Sequence, residues 1–281
     1  MGTDAELLAR STPGEAEPAF AAIEQRLREL SARLTRFDPG SDLERLNDDG
    51  GGELDDELLD VFTAALAAWH DTDGRFDVAL GAELVAAGYD RTFGELDAVD
   101  ARSLWVAESD AAELDPVVGP GPEAPPFSID GRQLLVPAGR RIDLGGFAKG
   151  WAADRMRDLI AQVGPCLVNI GGDIAISPAE GVEPWTIGLE VDGATASYDV
   201  WHGGVATSGQ DVRAWRARHD DDGYAHHIID PRTGVSARTD VQRVTVIHAS
   251  CMEAEVWTKA LMLVGMDAAV AEAEQLSLIH I

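Results

Sequence analysis

The segment Ile142-Asp-Leu-Gly-Gly-Phe-Ala-Lys-Gly150 reads as a strand that turns through two glycines into a helix. Helix signals continue from Phe147 to about Val163, and strand-like stretches at Cys166–Ile170 and 174–177 come next. Upstream, short strands are predicted over 127–130, 133–137 and 140–143. Downstream, residues 184–248 alternate short β runs with Gly- and Asp-rich turns, and helices over about 250–264 and 266–275 close the chain. Nearer the start, Phe20, Ile23, Leu27, Leu30, Leu34 and Phe37 recur at intervals of three and four, the stripe of an amphipathic helix. Asp38-Pro39-Gly40 stops it, Ser41 caps a short helix carrying Leu43 and Leu46, and a further helix runs from about Asp55 to His70. Phe76-Asp77-Val78 reads as a buried turn into another short helix. Strands and helices do not alternate strictly, so the class is α+β, a mixed and largely antiparallel sheet with packed helices, rather than a doubly wound sheet. One domain over 1–275 is expected. The Asp-, Glu-, Pro- and Gly-rich stretch 108–126 is a surface loop or a seam between two subdomains, and 276–281 is an atypical tail.

Composition sets bounds. The 281 residues are 45% hydrophobic and 26% charged, enough apolar content for a buried core. No apolar run approaches the roughly 18 residues of a membrane span. The opening Met-Gly-Thr-Asp-Ala-Glu lacks a basic and an apolar leader region, so no signal peptide is expected in this chain and the cytoplasm is the default compartment. A formal net charge of −28 repels phosphate backbones and anionic lipids and argues against nucleic acid as a partner. Of the 22 basic residues only Lys149 and Lys259 are lysines. A genome that avoids Lys accounts for the bias, and the two exceptions stand out because an ammonium differs from a guanidinium as a point charge and a phosphate contact. Cys166 and Cys251 stand far apart at the edges of apolar stretches and read as buried structural thiols.

Five segments could carry chemistry, and each also has a plain structural reading. Gly145-Gly146 with Lys149 could present backbone N–H groups and a charge to an anion, or form a tight strand-to-helix turn. Gly171-Gly172, at the end of an apolar strand, could approach a ligand or form a bulge. Thr207-Ser208-Gly209 with Arg213 suits a pyrophosphate, and suits an ordinary turn equally. His226-His-Ile-Ile-Asp-Pro-Arg-Thr-Gly234 contains a competent turn, but its adjacent histidines face opposite sides of a strand, so one could act as a base near a site. Glu255 and Lys259, four apart on a helix, read alone as a surface salt bridge worth a few tenths of a kcal/mol.

Taken together these segments resemble the ApbE-like FAD:protein FMN transferase family. The resemblance runs from Met1-Gly-Thr through Arg36-Phe-Asp-Pro-Gly-Ser-Asp-Leu-Glu-Arg-Leu-Asn47 and Gly74-Arg-Phe-Asp-Val-Ala-Leu-Gly81, then the segments 143–150, 169–173, 207–209 and 227–234. It covers nearly the whole chain and is most specific in D-L-G-G-F-A-K-G and H-I-I-D-P-R-T-G. It implies that the protein splits the FAD pyrophosphate, moves FMN onto a Thr hydroxyl of a target protein and releases AMP. FAD and an acceptor protein are then its partners. It further implies His227 and Lys149 as catalytic, and Asn47, Asp77, Asp143, Gly146, Gly171, Gly172, Thr207, Ser208, Gly209 and Ile228 beside the bound nucleotide. Asp192-Gly-Ala-Thr-Ala-Ser197 is similar to the segments that the family modifies, with Thr195 at the acceptor position. A hairpin turn at Asp-Gly is by far the stronger reading there.

One departure stands out. The family's magnesium is implied to sit on a backbone carbonyl, here Ala148, with an Asp and a Thr four apart in the C-terminal helix; Glu255 and Lys259 take those two places. An ammonium cannot ligate a hard cation. Lys259 is therefore expected at the position of the ion, paired with Glu255. Two alternatives to transfer arise: hydrolysis of FAD to FMN and AMP, and FAD binding without catalysis.

Overall fold

The computed structural model describes residues 3–99, 119–179, 181–191, 194–217, 223–276 and 279–280. Its central sheet is antiparallel throughout, in the order β1 (Ala5–Ala9), β5 (Cys166–Ile170), β6 (Asp173–Ile176), β9 (Gly203–Gly209), β12 (Arg243–His248) and β13 (Ile279–His280). Three small antiparallel sheets surround it: β2 (Gly51–Glu53) with β3 (Ser128–Asp130) and β4 (Gln133–Leu135), β7 (Trp185–Val191) with β8 (Ala194–Val200), and β10 (Ala214–Arg216) with β11 (Tyr224–His226). The helices are α1 (Pro13–Leu34), α2 (Asp42–Asp49), α3 (Asp56–Asp71), the short α4 (Gly81–Ala86), α5 (Ala148–Ile160), α6 (Cys251–Met262) and α7 (Met266–Gln275). The expected α+β class with a largely antiparallel sheet is what the chain adopts.

Two helices, α5 and α6, position the chemistry-bearing side chains. α5 lays Trp151, Ala152, Ala153, Met156 and Ile160, all nearly free of solvent, against β5, β6 and α1. α6 crosses β9 and β12 and packs beside α5. The approach is tight: a Cβ at Gly150 would lie 2.8 Å from the Cys251 carbonyl oxygen, and one at Gly204 would lie 2.2 Å from the Cys251 Cα. Buried Asp154 of α5 fixes the start of α6, accepting from the Cys251 and Met252 N–H groups at 3.1 and 3.0 Å and from Ser250 Oγ at 2.9 Å. The two N–H groups are donors that a helix N-terminus leaves without partners of its own. Both cysteines are buried and unbridged, as expected.

Several expectations need correction. The first amphipathic helix begins at Pro13 and ends at Leu34, so Phe37 lies beyond it. Ala5–Ala9 is a strand that the sequence pattern does not announce; its conformation comes from pairing with β5. Residues 140–143 are not a strand. Arg141 makes one isolated bridge to Leu80, and the Asn47 side chain takes the place of a partner strand at Ile142, accepting from its N–H at 2.7 Å and donating to its carbonyl at 2.9 Å. β7 and β8 form the expected hairpin, with Val191 opposite Ala194; the Asp192-Gly193 turn between them lies outside the described residues, as do Met1, Gly2 and the stretch 100–118.

Candidate active site

A cavity of about 670 Å³ opens between the end of α1 with its adjoining loop, the 75–94 segment, the 143–149 turn and the 227–229 segment. That volume suits a nucleotide-sized ligand. Five cationic side chains line it, from Arg36, Arg75, Lys149, Arg213 and Lys259, against two carboxylates, Asp77 and Asp143. Four of these cations already have carboxylate partners: Arg36 pairs with Asp143, Arg75 with Glu272, and the two lysines with Asp173 and Glu255. Phe37, Phe76, Tyr89 and Phe93 supply an aromatic share of the wall.

The 143–150 segment builds one wall. Asp143 Oδ1 accepts from Gly145 N–H at 2.6 Å, which folds the glycine pair into the start of α5. Lys149, in the first turn, donates to both Asp173 and Glu255. Glu255 is 1% exposed, accepts Gly150 N–H through Oε2 at 2.8 Å, and lies 3.4 Å from Lys259 Nζ through Oε1. Lys259 Nζ also donates to the Glu255 carbonyl at 3.0 Å. Burial opposes the charge on all four groups. For Glu255 the two lysines outweigh it and hold the carboxyl at about 2. Asp173, beside Glu255 as well as Lys149, is pushed up to about 6. Lys149 is raised, because its two carboxylates outweigh its burial. The pair whose spacing reads as a surface salt bridge is thus part of a buried four-residue cluster, and Glu255 is bound more closely by Lys149 than by Lys259.

The 227–234 segment builds the opposite part. Asp230 locks its turn, accepting from Arg232 N, Nε and Nη2, and Arg232 reaches the Leu263 carbonyl beyond the end of α6 at 2.9 Å. His226 points inward and is 3% exposed. His227 faces the cavity with Nδ1 3.3 Å from the Arg213 carbonyl, so Nδ1–H donates and Nε2 is left as the acceptor. Burial, then Arg213 and His226, lower the His227 pKa well below the usual value, and the ring is neutral at pH 7.

Of the residues singled out from the sequence, Asp77, Asp143, Gly145, Gly146, Ala148, Lys149, Arg213, His227, Ile228 and Lys259 share the cavity wall. The others lie elsewhere. Asn47 clamps Ile142, and Gly171-Gly172 is the tight turn of the β5–β6 hairpin, with φ of +62° and +98°. Thr207 bonds Thr245, Ser208 bonds Thr258, and Gly209 ends β9 opposite Arg243. Glu255 sits behind the two lysines. Sequence reasoning misses Arg36 and Tyr89. The Arg36 guanidinium stacks over Phe37 and Tyr89, with ring centroids at 4.2 and 4.6 Å, pairs with Asp143, and carries a buried Nη2 without a hydrogen-bond partner. Its only signal in the sequence is a position within the 36–47 motif.

The residues present do not fit a divalent cation. Asp173 and Glu255 are both held by ammonium groups, and a third cationic contact occupies the Glu255 carbonyl. Among the described residues no group of three or more His, Cys, Asp or Glu side chains could hold a metal.

Comparison with known proteins gives a consistent picture. A family model described as the ApbE family matches residues 1–280. An FAD:protein FMN transferase of Vibrio cholerae is 30% identical over 300 residues, covering 100% of this chain and 85% of that one. Another of the same name from Klebsiella pneumoniae is 33% identical over 148 residues, covering 50% of this chain and 45% of its own length. The crystal structure of the ApbE protein of Thermotoga maritima superposes with a TM-score of 0.79 at 27% identity, covering 99% of this chain and 90% of the other.

Proposed function

This chain belongs to the ApbE family, and from that membership we propose that it is an FAD:protein FMN transferase that esterifies a Thr hydroxyl of a target protein and releases AMP. The observation that carries the reading is one nucleotide-sized cavity whose wall brings together Arg36, Arg213, the two lysines and a neutral histidine.

The chemistry comes from these groups. The acceptor Thr Oγ attacks the phosphorus on the FMN side of the pyrophosphate, and the bond from that phosphorus to the bridging oxygen breaks. AMP leaves with that oxygen. His227 Nε2 takes the hydroxyl proton: burial keeps the ring neutral at pH 7, and the Arg213 carbonyl holds Nδ1–H so that the Nε2 lone pair is free. Lys149 keeps its positive charge despite its burial, and Asp173 and Glu255 hold its ammonium at the cavity wall. Gly146 allows close backbone approach at the start of α5. Asp77 and Asp143, each paired with an arginine, hold the cavity wall in place.

The test is AMP release from FAD, followed by chromatography, for the wild type and His227→Gln. The reading predicts AMP only when an acceptor is present, a loss of about 10²-fold or more in the variant, and FAD affinity retained. Tight FAD binding without AMP would place the protein among non-catalytic binders. AMP without modified acceptor would identify a hydrolase.

A further inference from the structure

The two lysines of this chain, far apart in sequence, end in one buried cluster with Asp173 and Glu255. The cluster is charge-balanced, two ammonium groups against two carboxylates. Lys259 reaches the cavity wall with its ammonium held, among the described residues, by Glu255 alone. Nζ meets one main-chain carbonyl, 3.0 Å away on Glu255, and one carboxylate oxygen, 3.4 Å away on the same residue, a type of oxygen set that hard cations use. The stem is seated too: a Cβ at position 146 would lie 2.8 Å from Lys259 Cε, so Gly146 provides the room through which the side chain reaches the cavity. The neighbouring hydroxyl, that of Thr258, is committed elsewhere: it donates to the Glu255 carbonyl at 2.7 Å and bonds Ser208 Oγ, also at 2.7 Å. A dication added here would place two further charges in a buried cluster that is already neutral, with no carboxylate left to receive it.

We propose that Lys259 is a built-in replacement for a divalent cation, so that this protein binds FAD and transfers FMN without a metal. The proposal rests on the functional reading of the site as an FAD site, and deepens it. It assigns to Lys259 contact with the substrate pyrophosphate from the cavity wall. Glu255 holds its ammonium, and Lys149 completes the neutralisation of Glu255 and Asp173.

The experiment uses the full chain stripped with EDTA. Free Mn²⁺ is followed by electron paramagnetic resonance with no FAD present, and FAD affinity by fluorescence quenching in EDTA and in excess magnesium. The wild type is expected to bind no stoichiometric Mn²⁺, and its FAD affinity to change less than about twofold between the two conditions. Lys259→Gln, which removes the charge but keeps a polar side chain, is expected to weaken FAD binding about tenfold in both. One tightly bound Mn²⁺ in the wild type, a tenfold or larger loss of FAD affinity in EDTA, or an unchanged affinity in Lys259→Gln would each overturn the proposal. If that variant does not fold, the two wild-type measurements decide alone. If FAD does not bind under any condition, the functional reading fails, while the Mn²⁺ measurement still decides whether the cluster takes a metal.

Discussion

Asp154→Ala should cost the protein about 1–4 kcal/mol at a position outside the cavity wall. Asp154 is 8% exposed and accepts from three donors at the start of α6: Ser250 Oγ, Cys251 N–H and Met252 N–H. Removing the carboxylate leaves the Cys251 N–H, which is fully buried, without a partner and the Met252 N–H, which is half-buried, partly satisfied by water. A buried donor left unpaired costs about 1–3 kcal/mol, and the lost helix-end charge adds up to about 1 kcal/mol. The total is about 1–4 kcal/mol, or a fall in Tm of about 2–15 °C for a chain of this size. Because α6 carries Glu255 and Lys259, FAD affinity should fall in the same variant. Urea unfolding followed by circular dichroism measures the first effect and flavin fluorescence the second. A variant within about 0.5 kcal/mol of wild type, the usual range for a surface change, would refute the assignment of Asp154 as the anchor of α6.

Two further outcomes come from the same geometry. Arg36→Ala should weaken FAD binding about tenfold or more, since a buried guanidinium stacked on two rings with an unpaired Nη2 would find its partner in a bound anion; titration with FAD checks it, and Arg36→Lys should recover only part of the loss. Stability should decline as pH falls from about 6.5 towards 4. Burial lowers the His226 pKa to about 4, and its neutral ring is fully used, Nε2 donating to the Ala237 carbonyl and Nδ1 accepting from Ile228 N–H. The unfolded chain therefore binds the proton first as pH drops, and the loss reaches up to about 3 kcal/mol. Unfolding curves at pH 7 and pH 4.5 for wild type and His226→Gln separate this residue from the others that titrate in the range.

Much of the architecture could be read locally. Ser41 does cap α2, accepting Glu44 N–H at 3.0 Å, and the Asp-Gly signal does join two paired strands. Such features depend on residues within a few positions of one another. What escaped depends on partners that only the fold brings near. Asn47 stands in for a strand at Ile142, 95 residues on, and Arg36 stacks on Tyr89, which the fold brings to the same cavity. Lys149 and Lys259 are conspicuous as the two lysines of an arginine-rich chain, yet no pattern of spacing joins the first of them to both Asp173 and Glu255. The i,i+4 rule likewise finds the Glu255–Lys259 pair but takes it for a surface one, because helical spacing says nothing about which face is buried.

Metal-free transfer is measured most directly by the intact mass of an acceptor domain bearing a Gly-Ala-Thr segment, after incubation with this protein and FAD in EDTA. A mass gain of one FMN less water on the acceptor is expected, with an equal amount of AMP, and both products formed about 10²-fold or more slowly by His227→Gln. An acceptor whose mass does not change, with FAD recovered intact both in EDTA and in magnesium, would contradict metal-free transfer.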